Sequence, residues 1–220
     1  MCPSSGKFER SLPIELPPPK PGRNTSVFQA LEQRRTTRAI RPDPLPLQTL
    51  SNLLWAAFGV NRQNGPFGMT GRTAASASNS QEIDVYVALA DTTHLYDPLS
   101  HVLSPVAAGD LRASALTPGQ PVGEVEAPVQ LIYVVDLERL EQSSGFDEPG
   151  LRDPEVQKSY YYVDTGLIAA NVYLFAAGER LATWFHNCDR QALAIRLALS
   201  SRQHVLFAQS VGHPQKRRDP

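Results

Sequence analysis

The chain has 220 residues, of which 21 are basic, 22 acidic and 41 % hydrophobic. That length allows one large domain with a substantial core and no need of staples. The net charge of −1 argues against nucleic acid as the main partner, and two cysteines, Cys2 and Cys188, exclude a disulfide framework and fit a reducing cytoplasm.

Residues 1–24 are proline-rich and lack the apolar stretch of a signal peptide. They are expected to form an extended arm, ordered only where it lies on something. Residues 25–220 are expected to form a single domain. No apolar run approaches the roughly 20 residues that span a bilayer, so a cytoplasmic protein without membrane contact is expected.

Ser26 and Gln29 have capping-box spacing, which starts a helix with Val27 and Leu31 on one face. It should end near Arg35, because "RPDPLP" cannot continue it. A second helix is expected over 46–58, with Leu47, Leu50, Leu54 and Ala57 as its stripe and Gly59 just past its end. Residues 59–82 are glycine-rich, small and polar, with no clear element, the kind of loop that carries function or moves. The stretch 83–90 alternates as a strand, and "DTTHLYDP" suggests a turn and a short partner strand. "PVQLIYVVDL" at 128–137 is near-continuously apolar and predicts a central strand buried on both faces.

Residues 138–158 are polar and acidic, a surface excursion. The stretch 159–181 is helical, with a stripe of Val163, Leu167, Ala170, Leu174 and Ala177 widened by Ile168, Val172 and Phe175. So apolar a helix belongs in the core. "ATWFHNCD" at 182–189 predicts a short strand turning at His186 and Asn187, and Asp189 is placed to cap a helix from 190. A last strand over 204–214 precedes a basic tail with Lys216, Arg217 and Arg218. This order of elements predicts an α+β fold with one mixed sheet flanked by helices.

Two stretches carry chemistry. In 34–41, Arg34, Arg35, Arg38 and Arg41 surround Thr36 and Thr37. Cations at a helix end have a plain reading as partners of its dipole. Joined to the hydroxyls and the basic tail, they form the planar, convergent donor set that suits a phosphate monoester. "SASNSQ" at 76–81 offers amides and hydroxyls but no strong acid or base. It is either a polar loop or the edge of a site for a neutral heteroaromatic ring. There is no HExxH, GxSxG, GxGxxG or Walker A motif, and the five histidines show no metal-binding spacing. No metal is expected. Cys188 beside Asp189 fits a small packed residue before a helix cap, and the tyrosines Tyr160 to Tyr162 fit core packing.

In order, "RRTTRAI", "TAASASNSQEIDVYV", "APVQLIYVVD", "DTGLIAANVYLFAAGERLATW" and "VGHP" with its basic tail resemble the flavin-dependent nitroreductases. The wording "GRTAASASNSQEIDVYV", followed by "LYDP", is most similar to the SagB-type dehydrogenase subgroup. The resemblance implies a nitroreductase-like fold in a domain-entwined homodimer, with FMN at two interface sites. It implies ping-pong hydride transfer through flavin N5, from NADH or NADPH to an organic acceptor such as a nitroaromatic or quinone. Two alternatives stay open: dehydrogenation of a small molecule or azoline-type ring, and a non-catalytic flavin-binding protein.

By motif position, the resemblance assigns Arg34, Arg35 and Thr36 to the phosphate and ribityl chain, and Arg38 to the phosphate or the polar edge of the ring. Ser76, Ala77, Asn79 and Gln81 match the segment that reaches the FMN of the other subunit. Trp184, Phe185, His186 and Asn187 match the turn facing N5 and O4, with His186 a candidate proton donor to product. Gln120 falls near the pyrimidine, and Lys216, Arg217 and Arg218 close over the phosphate. The sequence departs from the family at Ala75, where a proline is usual, and at Trp184 and His186, where a proline and an acidic or small residue are common.

Overall fold

The computed structural model describes residues 12–20, 25–117, 119–120, 127–144 and 152–215. The capping box forms as its spacing predicts. The Ser26 hydroxyl accepts from Gln29 N at 3.2 Å, the Gln29 side chain accepts from Ser26 N at 2.9 Å, and α1 runs over Val27–Gln33. Helix α2 (Leu47–Phe58) ends at Gly59, whose φ of −72° is an ordinary extended value. Glycine is required there for space: a Cβ would sit 2.4 Å from Cδ1 of Trp55.

Strand β1 (Ile14–Glu15) precedes both helices, and the "elementless" 59–82 segment holds a small hairpin of β2 (Val60–Arg62) and β3 (Gly71–Arg72). It then makes a 3-10 turn at Ala77–Asn79 and enters β4 (Ile83–Ala88). Next come β5 (Thr92–Asp97), β6 (Val102–Ala108), β7 (Val129–Asp136), the short α3 (Leu137–Glu141) and the 26-residue α4 (Pro154–Glu179). Strand β8 (Ala182–His186), α5 (Arg190–Arg196) and β9 (Gln203–Gly212) complete the described chain. Asp189 caps α5 by accepting from Ala192 N, as expected.

The seven-stranded sheet has the order β1-β6-β5-β4-β7-β9-β8. The element order led us to expect mixed strand directions; every pairing of this sheet among the described residues is antiparallel. Central β7 is buried on both faces, and its pleat sorts its side chains. Val129, Leu131, Tyr133 and Val135 pack with α2 and α4, while Ile132 and Val134 pack with α5. Residues of the proline-rich arm lie on this chain's own sheet: Ile14 pairs with Leu103, and Leu16 N donates to His101 O.

Helix α4 begins earlier than expected, because Asp153 caps it and Pro154 takes its first position. Its rotation also differs from the expected stripe. Ile168 and Val172 are buried, but so are Asp164 and Thr165, whereas Val163 and Leu167 are 58 % and 41 % exposed. With Val27, Phe28 and Leu31 of α1, they leave an apolar face uncovered on the single chain. Among the described residues no helix is long and apolar enough to cross a membrane.

Candidate functional site

Helix α1 ends as expected, with Arg34 as its C-cap (φ −56°, ψ 120°), and "RTTR" follows without regular secondary structure. Thr37 N donates to Thr183 O of β8 at 2.9 Å, and Arg41 N to His213 O at 2.8 Å. Arg34 and Arg38 lie over aromatic rings, Arg34 5.5 Å from the Tyr173 centroid and Arg38 4.9 Å from Trp184. Arg35, Thr37 and Ala39 line a cavity of about 570 Å³ with Tyr173, Arg180, Thr183 and Gln215. No carboxylate among the described residues pairs with Arg34 or Arg35.

Tyr173 of α4 fastens this loop to β8. Its hydroxyl accepts from Phe185 N at 3.0 Å and bonds Thr36 Oγ1 at 3.1 Å. Gln120, expected only loosely near the site, reaches the chain just past β8, its Nε2 donating to Asn187 O at 3.3 Å. Arg34, Thr36, Arg38, Trp184, Phe185, Asn187 and Gln120 therefore converge in one chain. Tyr173 was missed by sequence reading, because in a long apolar helix its phenol has no local signature. The tail residues Lys216, Arg217 and Arg218 lie outside the described residues, but Gln215, just before them, donates through its N–H to Ala39 O at 2.9 Å.

His186 is enclosed within the chain. Its ring is 5 % exposed and stacks on Trp184, with centroids 4.3 Å apart. Nδ1 meets Asn187 O and Nε2 meets Ser210 Oγ, both at 2.9 Å. Burial pushes its pKa down to about 4 against the opposing bond to Asn187. With both nitrogens engaged, the buried imidazole braces the end of β8. Trp184 is likewise held between Arg38 and His186. Cys188 is buried and its thiol is pushed up to about 11, as inert as a packing residue should be.

The carboxamide loop lies elsewhere on the chain. Ala77 N donates to Asp164 Oδ2 on α4 at 2.9 Å. Asp164 precedes Tyr173 by nine positions, about 13 Å along a helix axis. The expected side chains of this loop hold one another. Asn79 Nδ2 donates to the carbonyls of Pro66 and Thr70, each at 3.2 Å. Gln81 Nε2 donates to Thr70 O at 2.7 Å, its Oε1 accepts from Arg72 Nε at 2.6 Å, and Ser76 Oγ accepts from Gln81 N at 3.0 Å. Ser78, Asn79 and Gln81 all have positive φ, 49°, 54° and 52°. Such conformations cost of order 1–3 kcal/mol each and persist only when the surroundings fix them.

The arginine-bearing segment after α1 is thus tied through Tyr173 to β8 at the edge of an α+β fold. The chain belongs to the nitroreductase family, whose model matches residues 31–213, and is an oxidoreductase. A solved structure of a protein from Ralstonia eutropha JMP134, provisionally named a nitroreductase, is 32 % identical, with a TM-score of 0.81 over 98 % of this chain and 94 % of that one. A Methanocaldococcus jannaschii protein, provisionally named a nitroreductase, is 28 % identical over 76 % of this chain and 83 % of its own length. The NADPH:FMN oxidoreductase of Vibrio harveyi, solved with NAD+, shares the fold at 16 % identity, with a TM-score of 0.57 over 88 % of this chain and 71 % of that one.

Proposed function

We propose that the protein is an FMN-dependent oxidoreductase whose two flavin sites are each shared by both subunits of a homodimer. The observation that carries this reading is the row Arg34, Thr36 and Arg38 after α1, fastened through Tyr173 to the Phe185 amide. Exposed guanidiniums fit a phosphate, and a hydroxyl beside the aromatic end of β8 fits a ribityl chain and ring. Arg34, Arg35 and Thr36 would hold the phosphate and ribityl chain, with Lys216, Arg217 and Arg218 closing over them. Arg38 would lie toward the phosphate or the polar edge of the ring, with Gln120 and the turn from Trp184 to Asn187 facing the ring.

FMN, when bound, supplies reversible hydride chemistry at N5, with NADH or NADPH as donor and an organic acceptor such as a nitroaromatic or quinone. The chain's own part is to bind, orient and exclude water. No side-chain base is needed for hydride transfer, in keeping with the buried, neutral His186.

Two observations support sharing between subunits. The carboxamide loop and the arginine row stand about 13 Å apart along α4 in one chain. The exposed apolar residues Val27, Phe28, Leu31, Val163 and Leu167 offer a face for a second copy. A second reading keeps the cofactor and reverses the direction, oxidising a small molecule or azoline-type ring; the SagB-like wording of 71–87 and "LYDP" favours it.

Reconstitution with FMN followed by anaerobic NADH or NADPH tests both. Bleaching of a tightly bound yellow cofactor supports the reductase. A yellow protein that neither nucleotide bleaches supports the dehydrogenase reading, and failure to retain FMN contradicts both.

A further inference from the structure

The segment 76–81 is followed by a buried acid that no part of the proposed reaction uses. Glu82 is 0 % exposed, and Asp164 on α4, 4 % exposed, faces it. Glu82 Oε2 accepts from the Ser80 hydroxyl at 2.6 Å. Its Oε1 is buried and meets no hydrogen-bond donor of the described chain. Asp164 in turn accepts from Ala77 N.

Nearby charges do not neutralise the pair. Arg139 of α3 is paired with Asp84 at 2.9 Å and with Asp136, and also donates to Gln81 O. Arg72 of β3 is bonded to Gln81 Oε1 and stacked on Phe58. Two buried carboxylates side by side cannot both ionise without a large penalty. A proton on Glu82 donated to Asp164 would satisfy Oε1.

We propose that Glu82 and Asp164 share one proton, and that this proton is a latch holding the 76–81 segment against α4 in the shape that closes the partner's cofactor site. The latch rests on the flavin-site reading only for its functional consequence. Burial, reinforced by Asp164, pushes the Glu82 carboxyl up to about 8. Asp164 is also raised by burial, with the bonds from Ala77 and Glu82 opposing. While the proton is held the latch is closed; once it is lost, two buried anions repel at the base of a segment already bearing three positive-φ residues.

The test is the protection factor of the Ala77 amide against hydrogen exchange, followed from about pH 6 to about pH 9.5 beside FMN affinity. In the unaltered protein, protection should drop about tenfold through a midpoint near pH 8, and FMN affinity should fall over the same range. Glu82→Gln supplies a neutral donor to Asp164 and should abolish both steps while keeping the low-pH values. Asp164→Asn removes the repelling charge and should move the step to lower pH. Steps of equal size in the unaltered protein and in Glu82→Gln would overturn the latch. A pH step in protection with no FMN bound at any pH would overturn the flavin reading and leave the latch standing.

Discussion

The arginine edge and the carboxamide loop are both polar and partly exposed, yet they are built in opposite ways. Around 76–81 the amides of Asn79 and Gln81 are bonded within the loop, and the backbone is held in costly conformations. Around 34–38 the chain leaves the C-cap of α1, and no carboxylate among the described residues pairs with Arg34 or Arg35. The difference teaches which region waits for a ligand. Unpaired cations lose little by being free in water and gain when an anion arrives. A self-satisfied loop presents a shape, and its substitution should cost order before it costs ligand contacts.

The contrast is broken most sharply at the arginines. In Arg34→Ala/Arg35→Ala, two charge-assisted bonds of about 1.5–3 kcal/mol each are lost. Calorimetric titration should show FMN affinity reduced by about 100-fold or more, with the melting temperature of the cofactor-free protein changed by no more than about 2 °C. A large loss of stability with affinity retained would reverse the roles of the two regions.

The support beneath the turn gives the next effect. His186 is depressed in the folded state, so the folded chain binds fewer protons than the unfolded chain between its ordinary value near 6.5 and about 4. Its contribution to stability is complete above that window and is lost as pH falls through it, up to about 3 kcal/mol for a shift of this size. His186→Gln should flatten the acid limb of the stability curve measured by urea denaturation. The pH–turnover profile near neutrality should keep its shape, and loss of an ionisation there would support a proton-donor role.

Asn79→Ala removes two donors from carbonyl groups and places alanine at positive φ. It should cost about 1–2 kcal/mol in denaturant unfolding and raise proteolytic nicking of the loop, while the arginine edge is unchanged. Tyr173→Phe is the smallest test. Loss of the phenol bond to Thr36 and the Phe185 amide should weaken FMN about fivefold, near 1 kcal/mol.

Legibility in the sequence followed local physics. The capping box at Ser26, the α2 stripe, the alternation of β4, the apolar run of β7 and the Asp189 cap are interactions among near neighbours, and each lies where the pattern puts it. Strand β6 was missed: Pro105 sits within it, tolerated because two-residue β1 pairs only with Val102 and Leu103 and leaves the rest of that edge open. In α4 the apolar stripe was visible, but its destination was not. Val163 and Leu167 face out while Asp164, which accepts from Ala77 N, and Thr165 are buried.

In the site, the residue types of 34–38 were legible. Their tie to Tyr173 and β8 was not, since those contacts are remote in sequence. The positive-φ residues at 78, 79 and 81 were equally hidden, because contacts remote in sequence hold them there.

The account's central claim is that the arginine edge of one chain and the carboxamide loop of the other build one site. Mixed dimers test it directly, with one subunit carrying Arg34→Ala/Arg35→Ala and the other Asn79→Ala/Gln81→Ala. Each parent homodimer has two damaged sites, whereas the mixed dimer should regain one intact site and bind one FMN per two chains by absorbance. Mixed dimers that bind no more flavin than the parents would contradict the claim and place each site within a single chain.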